Sequence, residues 1–441
     1  MIIPAVLLTK KTYGRNNGKL LYKCIPDDIE IKPINVPYNI GHIGFSKVNI
    51  DRYVLIDCEK KVIVKTIGPA NILENYYEYQ LYCKSLPLKS EVIEINSVNL
   101  LSGEDRTKWP VFSIDGEDTK DYDDAFSIKE VNGKVIVSIY IADVVNTLSN
   151  LNIWEKCETR ISTIYLPNKI ITMLPKNIVE LTSLTKNKLS TCLAMDIIYN
   201  KNNNTDPVIE FSRVIIKPYK NHIYDSVDLA TDINYKWLFN FTKDYANLAG
   251  SHELVEHYMR KMCFEAGRVL QKNDTGIFRT MNEPLEDLYP SNSYVLSTDH
   301  IPYVHITSPI RRIIDILNQI KLQEVLNIYK SEAASKFYNE WSEKLEYINK
   351  VNKKIKKVQN DCALLHLYPS IKDREFEGKI LDNETKYENG IYKYTIFLKE
   401  INLISKINSL EEISGIRLYR LYSFEYKDTL KKKIKLQLKG K

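Results

Sequence analysis

The chain has 441 residues, 44% hydrophobic and 27% charged, with a net charge of +6. That length allows two to four domains, and the composition excludes a collagenous, low-complexity or disordered polypeptide. No apolar run approaches the roughly 20 residues of a membrane span, and seven scattered cysteines without a CxxC pair argue against a zinc ribbon or a disulfide framework.

In chain order, the opening "MIIPAVLLTKK" lacks a basic stretch ahead of its apolar run and a small-residue cleavage site, so it reads as a β-strand rather than a secretory leader. Residues 1–95 follow as short β segments such as "YVLIDC" (53–58) and "KVIVKTIG" (61–68), with prolines at 26, 33 and 37 that oppose long helices. A small β-barrel is expected there. Residues 105–368 mix β and α patterns. An Asn132-Gly133 dipeptide between two β-rich runs predicts a hairpin. From about 234 to 271 the pattern is helical. Ile348, Val351, Ile355, Val358, Cys362 and Leu365 step by three and four, one stripe of a helix over 345–366.

After Pro369 the pattern returns to β. The segment Lys427 to Lys441 holds seven Lys and one Asp, so it carries the whole net charge. Ile434, Leu436 and Leu438 alternate with Lys435, Gln437 and Lys439, which predicts a last strand with one buried face and one lysine face. That face reads equally as a solvated surface and as a contact for phosphates. The expected organisation is a small β-domain (1–95), a large α/β domain (105–368) and a second small β-domain (370–441).

Within the large domain, "SIDGEDTKDYDDAFSI" (113–128) concentrates six carboxylates: Asp115, Glu117, Asp118, Asp121, Asp123 and Asp124. Close carboxylates repel and raise one another's pKa. Divalent cations remove that cost, and Mg²⁺ takes oxygen ligands while keeping waters and phosphates. Asp121 and Asp123 share a face if their segment is extended. Ala125 and the absence of a terminal Glu at the required offset exclude an EF-hand. On the residues alone, a solvated acidic loop and a metal site for phosphate chemistry are equal readings.

A second stretch, "YVHITSPIRRIIDILNQI" (303–320), contains a helix-start pattern, with Ser308 expected at the N-cap and Pro309 at the first helical position. Arg311 and Arg312 are then expected in the first turn, where the helix end is already positive and an anion belongs. The competing reading pairs one arginine with a local carboxylate.

Together these stretches, with "SIYIADV" between them, resemble the catalytic domain of the ribonuclease II / ribonuclease R (RNB) family. The family's acidic signature is an Asp followed by Asp residues six, eight and nine positions later, matched by Asp115, Asp121, Asp123 and Asp124. Its Ser-Pro-Ile-Arg signature is matched at Ser308 to Arg311. Segments 165–184 and 251–259 resemble intervening parts of the family, so the likeness covers about 105–368. The closest style is that of the eukaryotic exosome catalytic subunit, in shortened form. The resemblance implies an α+β fold: an RNB-type catalytic domain flanked by small OB-like barrels.

The resemblance also implies a 3′→5′ exoribonuclease that hydrolyses single-stranded RNA to nucleoside 5′-monophosphates. Two Mg²⁺ ions are implied, with Mn²⁺ as a substitute. Asp115 and Asp124 would be metal ligands and Asp121 a supporting one. Asp123 would be essential to the chemistry, and Arg311 would hold the scissile phosphate. Arg312 would reach the RNA backbone or form a structural salt bridge. Tyr165 and Tyr303 would stack on bases. An intracellular, monomeric protein is expected, with an RNA-decay or helicase partner as a further possibility; a catalytically weak RNA-binding or scaffold member is the alternative. Three positions depart from the family pattern: Tyr140, Cys263 and Gln359.

Overall fold

The computed structural model describes residues 1–39, 50–95, 100–157, 160–200, 206–280, 293–297, 301–384, 390–401, 403–425 and 430–439. Two compact units emerge. One comprises Met1–Leu88, Tyr165–Lys169 and Lys354–Lys441; the other comprises Lys89–Ile164 and Ile170–Lys353.

The first unit begins with β1 (Ile2–Asn16), β2 (Lys19–Pro26), β3 (Ile34–Tyr38), β4 (Arg52–Asp57) and β5 (Val62–Pro69), then helix α1 (Leu73–Cys83). The opening segment is therefore a strand, as its sequence implies. The strands form one antiparallel sheet ordered β3-β2-β1-β4-β5, and its edges β3 and β5 curl toward each other. Alternate residues Ala5, Leu7, Tyr22, Cys24, Val36, Val54 and Ile56 fill the interior. Register shifts in β1 between Leu8 and Arg15 bend it as a bulge does. A barrel of five strands closed in this way is OB-like.

The second unit is built on a mixed sheet. Its strands are β6 (Glu104–Asp105), β7 (Phe112–Asp115), β8 (Asp124–Val131) and β9 (Lys134–Ala142). After helix α2 (Val144–Leu151), the ribbon β10 (Ile164–Leu166) and β11 (Lys169–Ile171), and helix α3 (Lys176–Thr182), the sheet resumes with β12 (Ser190–Asn200), β13 (Val208–Ile216) and β14 (Lys220–Ile223). The order is β14-β7-β8-β9-β12-β13-β6. The inner pairings are antiparallel, whereas β14 and β6 add in parallel at the two edges. Asn132 and Gly133 both adopt positive φ (50° and 75°), giving the expected hairpin turn between β8 and β9.

Helices follow: α4 (Val227–Thr231), α5 (Ile233–Lys243) and α6 (Ser251–Lys272). After the short strands β15 (Phe278–Arg279) and β16 (Tyr294–Val295) come α7 (Ile313–Val325), α8 (Glu332–Ser342) and α9 (Leu345–Ile371). The pleat sends neighbours to opposite faces. Ala125, Tyr140, Ala142 and Ala194 pack under α2, α3, α7 and α8. Phe126, Ile128, Ile139 and Met195 pack under α5 and α6. Gly267 in α6 lets the chain of Pro302 approach so closely that a Cβ there would lie 1.8 Å from the Pro302 carbonyl oxygen. The segment leading to the Ser308 turn thus lies directly on α6. The α9 stripe has the expected faces, with Ile348, Ile355, Val358, Cys362 and Leu365 buried. That helix continues through Pro369 and ends at Ile371, two residues beyond the point where the sequence suggested a return to β.

The chain closes with β17 (Glu375–Glu384), β18 (Tyr392–Leu398), β19 (Leu403–Ser409), β20 (Arg417–Glu425) and β21 (Lys432–Leu438). Their order, β19-β18-β17-β20-β21 with edges β19 and β21 drawn together, repeats the first barrel's arrangement. Leu436 faces inward as its alternation requires, and Lys433, Gln437 and Lys439 face solvent. Lys427 and Lys441 of the lysine segment lie outside the described residues. Within the first unit the two barrels are tied together: Lys431 pairs with Asp27 at 2.7 Å, and Tyr76 Oη donates to the Lys432 carbonyl at 2.9 Å. The fold is thus α+β, a central mixed-sheet and helical domain with two OB-like barrels.

Candidate active site

β7 ends at Asp115 and β8 begins at Asp124. The eight residues between them form a turn and irregular chain, which returns the acidic stretch to its own strand edge. The segment from Asp121 to Asp123 is not extended strand, and the two side chains enter different surroundings: Asp121 is half-buried and Asp123 is 2% exposed.

Asp123 points into the protein. Its Oδ1 accepts from the Ile310 amide at 2.9 Å, and its Oδ2 accepts from Arg311 Nε at 3.0 Å. The Arg311 side chain is 44% exposed against 3% for Asp123. Solvent screens the guanidinium more than the carboxylate, so burial outweighs the pairing and pushes the Asp123 carboxyl up to about 7. Asp115 is pushed up to about 6, chiefly by burial, opposed by a 2.7 Å hydrogen bond from Ser113 Oγ and by Arg311. Asp124 stands well above the usual range because burial comes first, with the Asp115 and Asp123 charges adding to it.

The Ser308 turn differs from the expected helix start. α7 begins at Ile313, and Arg312 occupies its N-cap in extended conformation (φ −137°, ψ 127°). Residues 308–311 form a turn in which the Arg311 and Arg312 amides donate to the Ser308 carbonyl at 3.2 and 3.1 Å. The cause is tertiary. The Thr163 amide donates to the Arg311 carbonyl at 3.0 Å, and the Ile313 amide donates to the Ile161 carbonyl at 2.9 Å. This bridge between Ser162 and Arg312 holds the chain extended where Ser308 and Pro309 alone would start a helix. Ser308 serves differently: its Oγ accepts from Arg311 Nη2 at 3.0 Å, and its amide donates to Asp315 Oδ1 at 2.7 Å.

The remaining sequence-derived residues divide. Arg312 donates through Nη2 to Asp315 Oδ1 at 2.8 Å, the salt-bridge arrangement. Tyr303 is half-buried, edge-on to Phe264 at 5.0 Å, and its carbonyl accepts from the Arg279 amide at 2.8 Å. Tyr165 belongs to the other compact unit, where its amide donates to Gln359 Oε1 at 3.2 Å. Among the departures, Tyr140 and Cys263 are buried core residues.

Two residues near the carboxylates carried no sequence signal. The Tyr224 amide donates to the Asp115 carbonyl at 3.0 Å, and its phenol is raised by burial and then by Asp124 and Asp115. Its ring stacks on the exposed His252 at 3.9 Å. Asn221 reaches Ser113 across the pairing of β14 with β7.

Among the described residues, no three His, Cys, Asp or Glu side chains form a ready-made metal cage. Mg²⁺ asks less of a protein, because one or two carboxylates with waters and phosphate oxygens complete its octahedron. The half-buried, mutually repelling Asp115 and Asp124 fit that demand, with Asp121 beside Asp115 and Asp123. The centre thus combines hard oxygen donors with a half-exposed guanidinium.

Residues 104–238 match the RNB domain family. Exoribonuclease 2 of Vibrio cholerae is 32% identical over 169 residues, covering 34% of this chain and 25% of that protein. Ribonuclease R of Mycoplasmopsis pulmonis is 22% identical over 227 residues, covering 50% of this chain and 30% of that protein. The chain therefore spans under a third of the length of these relatives. Among solved structures, the apo form of Mycoplasma genitalium RNase R aligns with a TM-score of 0.66 at 16% identity, covering 99% of this chain and 86% of that one. Yeast Ssd1, described as a pseudonuclease, aligns with a TM-score of 0.61 at 12% identity, covering 92% and 65%.

Proposed function

We propose that the protein, whose residues 104–238 match the RNB domain family, is a metal-dependent 3′→5′ exoribonuclease releasing nucleoside 5′-monophosphates from single-stranded RNA. The observation that carries the reading is the pair of half-buried carboxylates, Asp115 and Asp124, beside the contact of the buried Asp123 with Arg311. All four Asp of the acidic signature and Arg311 are present, which favours catalysis over the pseudonuclease alternative that Ssd1 represents.

Hydrolysis adds water across the P–O3′ bond of the last phosphodiester. Arg311 extends a half-exposed guanidinium toward the scissile phosphate and offsets charge as it develops. Asp123 and Ser308 hold that guanidinium through Nε and Nη2, so its direction is set before substrate arrives. Asp115 and Asp124, supported by Asp121, would hold two Mg²⁺ ions, for which Mn²⁺ substitutes. Bound there, such ions would supply Lewis-acid activation of water and offset negative charge at the phosphate.

The barrels are assigned the grip on RNA. In the C-terminal one, Lys435 lies 4.2 Å over the ring of the partly exposed Phe424, and Tyr422 is exposed on the same strand. Aromatic faces with nearby cations suit single strands of any sequence. Tyr165 is assigned to stacking on the terminal bases, with smaller roles for Tyr303 and Arg312 given their engagement in packing and in a salt bridge. Free, mostly buried cysteines accord with a reducing, intracellular setting. None of the described helices is long and apolar enough to cross a membrane. A monomer working with an RNA-decay or helicase partner completes the proposal.

The test is a gel time course on 5′-labelled single-stranded RNA with Mg²⁺, then with EDTA. Stepwise shortening to a small labelled end product, stopped by EDTA, supports the proposal. Binding without shortening in Mg²⁺ and Mn²⁺ favours the RNA-holding alternative.

A further inference from the structure

Asp115 is the end of a hydrogen-bonded chain. Its Oδ2 accepts from Ser113 Oγ at 2.7 Å. Ser113 is fully buried, and its Oγ accepts in turn from Asn221 Nδ2 at 2.8 Å. Asn221 and Ser113 are direct partners in the parallel pairing of β14 with β7. The Asn221 amide has one permitted orientation. Its Oδ1 accepts from the Lys186 amide at 2.7 Å, and its Nδ2 also donates to the Leu184 carbonyl at 3.0 Å. A backbone N–H only donates and a carbonyl only accepts, so nitrogen must face Ser113. The serine oxygen therefore receives, and its single hydrogen goes to Asp115. One backbone amide fixes the direction of every bond in the chain.

The same loop clasps the acidic stretch from the other side. The Leu184 amide donates to the Tyr122 carbonyl at 2.9 Å, while the neighbouring Ser183 Oγ gives its hydrogen to the Val179 carbonyl at 2.7 Å. Asp115 and the segment that follows it are thus referenced to one piece of backbone.

We propose that Ser113 and Asn221 are positioning residues for the divalent cation of this centre, tying back Asp115 Oδ2 so that Oδ1 is presented to the ion. This inference rests on the metal-dependent reading above. Groups behind a ligand commonly set metal affinity within a factor of about 10–100.

The test is Mn²⁺ titration of the full-length, RNA-free protein followed by electron paramagnetic resonance, with a melting curve for each metal-free variant. Ser113→Ala and Asn221→Ala are expected to weaken Mn²⁺ binding about tenfold. Asn221→Asp is the sharper variant. Its carboxylate would accept the Ser113 hydrogen and turn it away from Asp115, so the device predicts weaker binding. An added negative charge acting through Coulomb attraction alone would strengthen binding instead. Unchanged affinity in Ser113→Ala, or tighter binding in folded Asn221→Asp, overturns the inference while leaving the metal site standing. Failure of the wild type to bind Mn²⁺, with Asp124→Asn indistinguishable from it, overturns the metal reading and this inference with it.

Discussion

A single buried carboxylate and a cluster of buried and half-buried ones occupy the same seven-stranded sheet and are treated in opposite ways. In the middle of β12, Asp196 is gripped by Arg106 through two 2.8 Å hydrogen bonds and accepts a third from Ser138 Oγ at 2.6 Å. Both partners of that ion pair are nearly inaccessible. Where β7 and β8 meet the acidic loop, Asp115, Asp123 and Asp124 share the half-exposed guanidinium of Arg311, and all three carboxyls are driven upward. Burial of a charge is tolerated when it is paired and hydrogen-bonded. One set obeys that rule within the chain. The other does not obey it within the described chain, and the proposed cation and phosphate would supply the missing charge.

The largest effect expected of breaking this contrast is at Asp124. On the proposed reading Asp124→Asn removes a ligand for ions worth several kcal/mol to the transition state, so hydrolysis should fall about 10³-fold. The melting temperature of the metal-free variant should hold or rise, since a repelling charge has gone. Arg106→Met does the reverse. It strands Asp196 without its partner and should cost about 3–5 kcal/mol of stability in a urea titration, while folded protein still turns over RNA. A smaller loss follows Arg311→Lys, which keeps the charge but gives up the fork held by Asp123 and Ser308. Loss of one charge-assisted hydrogen bond predicts a drop of about 10- to 100-fold in kcat.

The smallest effect is on pH dependence. Asp115 and Asp123 titrate near 6 and 7 in the folded chain, against about 3.9 when unfolded. Between those values the native state binds more protons, so their contribution to stability is present at low pH and is lost as pH rises toward 7. Metal-free Asp115→Asn should therefore gain on the wild type in melting temperature between pH 5 and pH 8. Added Mg²⁺ should recover more for the wild type at pH 8 than at pH 5. A difference independent of pH would contradict that assignment.

Much of this was legible before any coordinates. On their own residues the acidic stretch and the Ser-Pro-Ile-Arg run each left two readings; the family resemblance of their spacing joined them, and the structure brings Asp123 and Arg311 into contact. Asn132-Gly133, the α9 stripe and the alternation in β21 are local. What escaped depends on residues far apart in sequence. Ser308 looks like a cap, and only the pairing of residues 161–163 with 311–313 moves the helix start to Ile313. Asn221 lies 108 residues from Ser113, and Arg106 lies 90 from Asp196. No spacing rule reaches that far. Arg312 carried two readings on sequence, and its contact with Asp315 is the ion pair.

The most direct measurement compares hydrolysis of one single-stranded RNA by wild type, Asp124→Asn and Arg106→Met at saturating Mg²⁺, each beside its own melting curve. The account predicts a folded Asp124→Asn protein that hydrolyses about 10³-fold more slowly and a destabilised Arg106→Met protein that still cleaves. Cleavage by Asp124→Asn at the wild-type rate would contradict it, and would remove the acidic end of the sheet from the chemistry.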